Sequence, residues 1–188
     1  MVYPVVIPPF DILQTKMDNY KLSEFKEWFL RSISIRIKVL EDACKADILE
    51  WRADFEPESL ITLASWAAEK IEIKRIDERK IDEIKKNMKF PGNFNEYELT
   101  YESRSLAFDI GLYLAETLRR RSNILQWTQI KKKNEHPEHG LVVLSGFVKN
   151  VKLNSTAVGE VLALRMQRNK SDVLLIKKAF DYWVNLIP

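Results

Sequence analysis

The sequence predicts a mainly α-helical domain of about five helices, α+β only through one small antiparallel hairpin near residues 124–148. Three observations carry that prediction. Apolar residues recur at steps of three and four along most of the chain. Only five glycines interrupt 188 residues, too few for a fold built on many tight hairpins. β-Branched and aromatic residues concentrate in two short runs, 124–130 and 141–148, separated by a polar stretch.

The first helix reads from Leu22, with Ser23 as N-cap, through Phe25, Trp28, Phe29, Ile33, Ile37, Leu40 and Cys44. A connection carrying Trp51 follows. Pro57 at a first helical position opens a second helix through Leu60, Leu63, Ala64, Ala67 and Ile71, with Trp66 inside it. From Glu69 to Lys86 the charges alternate in sign, and Glu72 with Arg75, Asp77 with Lys80 and Asp82 with Lys86 stand at helical spacing. That run reads as a solvated helix with a thin isoleucine seam, ended by Phe90-Pro91-Gly92-Asn93. Thr100 caps a third helix, the most apolar, through Leu106, Ile110, Tyr113, Leu114 and Leu118 to Arg121. Gly111 in its middle forecasts the close approach of a neighbouring element. The two β-prone runs then form the hairpin, the only sheet expected. Asn154 or Ser155 caps a helix to about residue 169, and Ser171 opens a last one carrying Leu174, Leu175, Ala179, Trp183 and Leu186.

Composition bounds the function. With 46% hydrophobic and 30% charged residues, residues 1–188 suit one globular domain with a real core, not a disordered chain. No stretch approaches the roughly 20 apolar residues that cross a bilayer, so no membrane partner is expected. Residues 1–12, broken by Pro4, Pro8 and Pro9, read as an extended arm laid over the domain rather than a signal peptide. The lone Cys44 cannot form an internal disulfide, which fits a reducing, cytoplasmic setting. A net charge of +3, from 30 basic and 27 acidic residues, is far from the cationic excess of a nucleic-acid binder.

Few constellations could carry chemistry. The two histidines, His136 and His139, bracket Pro137-Glu138 in a segment that reads as a solvated hairpin tip, so no metal site is expected. Glu102, Asp109 and Glu116 recur at seven-residue intervals on the third helix, a stripe that could serve acid–base chemistry. Asp109, set among Phe108, Ile110 and Leu112, and Glu116 are the members to watch. Arg119 to Arg121 and Lys131 to Lys133 flank Trp127, the arrangement that would stack and neutralise single-stranded nucleic acid. There is no phosphate-binding glycine loop, nucleophile elbow or metalloprotease box, so neither a catalytic residue nor a cofactor is expected.

The stretch Ser105 to Arg119, then Leu125-Gln126-Trp127, Leu144-Ser145-Gly146-Phe147 and Leu153-Asn154, with Pro57 to Leu60, Trp66, Phe180 and Trp183, resembles a family of uncharacterised bacterial cytoplasmic proteins. The resemblance covers most of the chain from about residue 55. It implies a setting among toxin-immunity or phage-defence genes and assigns no functional residue. The function expected first is therefore a protein-binding module, an immunity-type protein that neutralises a cognate toxin by direct contact. Its candidate interface is Glu72, Asp77, Asp82, Arg119, Arg120, Lys131 and Lys132. The alternatives are a nucleic-acid-binding regulator using the basic residues around Trp127, and an enzyme using the acidic residues of the 100–121 helix.

Overall fold

A computed structural model describes residues 2–87, 96–132 and 136–188. The expected Phe90 to Asn93 break and Lys133 lie outside the described residues. The fold is mainly α, with six helices and two small antiparallel sheets among the described residues. Helix α1 spans Asn19–Lys45 and starts before Ser23, because Asp18 is the cap: its carboxylate accepts the Lys21 amide at 2.9 Å. The polar first turn hides that start from a reading based on apolar spacing. Leu22, Phe29, Ile33, Ile37, Leu40 and Cys44 are buried along one face, as the spacing predicts. Burial pushes the Cys44 thiol up to about 12, which keeps it an inert core side chain.

Helix α2 spans Ser59–Lys70, two residues after Pro57, since Glu56 to Glu58 form the preceding turn. The connection before it is tied down by aromatic side chains. The Trp51 indole donates to the Ser59 carbonyl at 3.1 Å, and the Tyr113 hydroxyl accepts the Phe55 amide at 3.0 Å. That bond holds Phe55 in the left-handed region at φ 63°.

The charged run departs most from expectation. It is not one helix: strand β1, Ile73–Arg75, interrupts it, and helix α3 spans only Glu78–Asn87. β1 pairs antiparallel with β2, Tyr97–Leu99, in the register Ile73 to Leu99, Lys74 to Glu98 and Arg75 to Tyr97, so a second sheet exists. The charges work across strands instead of along a helix. Glu98 takes Lys80 at 3.0 Å, Arg104 at 3.5 Å and Lys74 at 3.6 Å, and the Lys80 hydrogen bond leads in holding its carboxyl below the ordinary range. Asp77 meets Arg79 through its backbone, accepting that amide at 2.9 Å at the start of α3. Ile76 and Ile81 are buried, so the seam was real although its geometry was not helical throughout.

Helix α4, Tyr101–Arg119, is capped by Thr100 as predicted and is enclosed over most of its length. Its most extensive partner is α5, Ser155–Arg168, capped by Asn154. The two backbones touch at glycines. A Cβ on Gly111 would lie 2.0 Å from the Ser155 carbonyl oxygen, and one on Gly159 would lie 2.0 Å from that of Ala107. Strands β3, Gln126–Gln129, and β4, Val142–Ser145, form the predicted hairpin. Helix α6 spans Leu175–Val184, later than Ser171, because Asn169 and Ser171 bond each other and hold residues 169–172 in a turn.

Candidate functional site

The chain buries two carboxylates on α4, and both are occupied. Asp109 is fully enclosed, in keeping with its apolar neighbours Phe108, Ile110 and Leu112. Arg36 of α1 grips it with two charge-assisted hydrogen bonds, Nε to Oδ1 at 2.8 Å and Nη2 to Oδ2 at 2.7 Å, and the Tyr3 hydroxyl donates to Oδ2 as well. Arg36 also donates to the Pro4 carbonyl at 3.0 Å. The carboxylate therefore anchors the N-terminal arm to the helices. Burial and the adjacent carboxylate push the Tyr3 phenol upward, so it stays a donor.

Burial also raises the Asp109 carboxyl from its ordinary 3.8 to about 6, outweighing the opposing pull of Arg36. The folded chain thus holds this proton more tightly than the unfolded chain. The stability the group contributes is full below the unfolded value and is lost as pH rises through about 6. Between neutral pH and about pH 4 it should add up to about 3 kcal/mol, a gain that Asp109→Asn removes. Denaturant midpoints of parent and variant measured across that window check this; a gap that does not change with pH contradicts it.

Glu116, also buried, accepts from Arg119 at 2.9 Å through both Nε and Nη2 and from the Trp127 indole at 2.7 Å. Trp127, half-buried, packs edge-on against Phe29 with ring centroids 5.4 Å apart, so one side of its ring has a structural partner. The first basic triplet is likewise engaged. The Arg120 guanidinium lies 3.5 Å from the Phe55 ring centroid, and Arg121 reaches the Phe55 carbonyl and Glu56. Lys131 and Lys132 are exposed. His139 is buried rather than solvated: its Nδ1 accepts the Lys132 amide at 3.1 Å, so the segment folds back onto the hairpin.

The polar groups that remain open gather elsewhere. A cleft of about 570 Å³ lies between the arm, the C-terminal ends of α1 and α2, and the N-terminal end of α4. Asp47, Glu69, Glu72 and Glu102 line it against one cation, Lys70. Trp66, Tyr3 and Leu106 supply apolar wall. Asp47 accepts from Lys70 and from the Trp66 indole, each at 2.8 Å, and Lys70 leads in holding its carboxyl below the ordinary range. Glu72 is fixed by its backbone, its amide donating to Ser103 Oγ at 2.8 Å and its carbonyl accepting the Thr100 amide. The carboxylate is left free to face outward.

The expected interface residues therefore do not form one patch. Glu72 lies at the N-terminal end of α4 and Arg119 and Arg120 at the other, about 28 Å away for a 19-residue helix. Asp77 and Asp82 are exposed on the β1–α3 unit that continues from Glu72. Asp47 and Glu69 were not among the expected site residues, because they join Glu72 and Glu102 around the cleft only through tertiary packing. Comparison with protein-family models, characterised proteins and solved structures finds no match for the chain. Among the described residues no helix is long and apolar enough to cross a membrane.

Proposed function

We propose that the protein is a binding module that engages another protein through the acidic cleft. In its most concrete form it is an immunity-type protein that neutralises a cognate toxin in the bacterial cytoplasm. The observation that carries this reading is a cleft with an aromatic wall and four carboxylates, of which Asp47 pairs with Lys70 and Glu69 with Lys170 while Glu72 and Glu102 add the acidic excess. Such a surface suits a partner that presents lysine or arginine beside an apolar contact, and its field would speed encounter and reject acidic competitors. The engagement of Asp109 and Glu116 by Arg36, Tyr3, Arg119 and Trp127 supports it, since it leaves the open polar groups at the surface.

The test is co-expression with a candidate toxin from a neighbouring gene. The parent chain should protect cells and co-purify with the toxin in a fixed ratio. Glu72→Lys combined with Glu102→Lys should weaken that complex at least about tenfold, about 1.4 kcal/mol, while thermal unfolding shifts little. Unchanged protection by the reversed variant, or no complex with the parent, argues against the reading.

A further inference from the structure

Residues 2–10 lie across α1 and α4, yet none of them is buried: Tyr3, Val6 and Phe10 are half-covered, while Val2 and Ile7 are 77% and 80% exposed. The apolar contact, chiefly the Tyr3 ring against the core and Phe10 against Phe25 and Trp28, offsets the entropy of fixing an extended segment only in part, although Pro4, Pro8 and Pro9 reduce that cost by restricting the free arm. At its far end the Phe10 ring packs edge-on against Phe25 and Trp28, with centroids 5.6 and 6.1 Å apart, and a short series of polar contacts holds the rest. Tyr3 donates its hydroxyl to Asp109, the Pro4 carbonyl accepts from Arg36, and the Val6 amide donates to Ser105 Oγ at 2.9 Å. Each of those receptors belongs to α1 or α4 and stays in place whether or not the arm is seated, because Arg36 and Asp109 hold each other.

The arm also divides the surface beneath it. Val2 and Tyr3 wall the acidic cleft; Val5, Val6 and Pro8 wall a second, mostly apolar cleft of about 440 Å³ floored by Phe25, Trp28, Phe29 and Phe108; Pro9 and Phe10 wall a third against α1. Lifting the arm would remove a wall from each of the three and uncover the Arg36–Asp109 pair, which Tyr3 and Pro4 cap.

We propose that residues 2–10 form a displaceable strap, which opens as a unit over a folded helical core and so alters all three clefts it walls. The strap is independent of the identity of any partner. Opening is local because the segment carries few buried contacts of its own, the condition for a low-energy sub-global transition.

The full chain tests this through amide exchange and limited proteolysis. The Val6 amide should exchange at least about 100-fold faster than the central amides of α4, such as that of Leu112. A chymotrypsin-like protease should cut after Phe10 while the helical circular-dichroism signal of the core is retained. Tyr3→Phe, which removes one anchor and no apolar bulk, should accelerate both about tenfold without changing exchange in α4. If Val6 and Leu112 exchange at a common rate, if cleavage after Phe10 waits for unfolding of the core, or if Tyr3→Phe accelerates neither, the strap proposal is overturned.

Discussion

Gly111→Ala and Gly159→Ala should each destabilise the chain by about 3 kcal/mol or more, although alanine is the better helix former by about 1 kcal/mol. The reversal of sign follows from the crossing of α4 and α5. Each new Cβ would sit 2.0 Å from a carbonyl oxygen of the facing helix, and backbone cannot rotate away as a flexible side chain can. The helices would have to separate, opening gaps around Leu106, Ile110, Leu162 and Met166, all in the core. Urea midpoints measure the effect directly. A stabilised or unchanged Gly111→Ala chain would show that the two helices do not meet as described.

The buried pair beneath the arm carries the second large expectation. Arg36→Ala leaves the buried Asp109 carboxyl without its main partner, and Asp109→Ala strands the guanidinium, so each single change should cost about 3 to 5 kcal/mol. The combined replacement Arg36→Met with Asp109→Leu should cost much less than the sum, because both charges leave together and apolar bulk fills their place. A thermodynamic cycle of unfolding free energies measures the coupling. Additive losses would mean that the two side chains do not depend on each other.

These two sites show what the sequence discloses and what it conceals. Gly111 announced itself, since a glycine inside an apolar helix has few uses besides close approach, whereas its counterpart Gly159 gave no comparable signal in a more polar segment. Thr100 and Asn154 were legible as caps because their residue types and the apolar series after them agree. The charged run was not. Glu72, Arg75, Asp77 and Lys80 fit helical spacing, but local ion pairs are worth only about 0.2 to 0.5 kcal/mol, and pairing of β1 with a strand more than 20 residues away overrides them. Asp109 was visible as an oddity among apolar neighbours. Its partner Arg36 lies 73 residues away and Tyr3 106 away, distances that no local pattern bridges. The acidic cleft was hidden for the same reason: Asp47, Glu69, Glu72 and Glu102 converge from the ends of three helices and a strand approach.

The most direct test of the account is amide-exchange footprinting of the chain alone and in complex with the protein partner that the proposed function requires. Recognition through the acidic cleft predicts new protection at residues 43–47, 69–72 and 100–103, with Arg119 to Arg121 and Lys131 to Lys132 unchanged. Protection confined to the basic residues, or no protection in any of these segments, would contradict it.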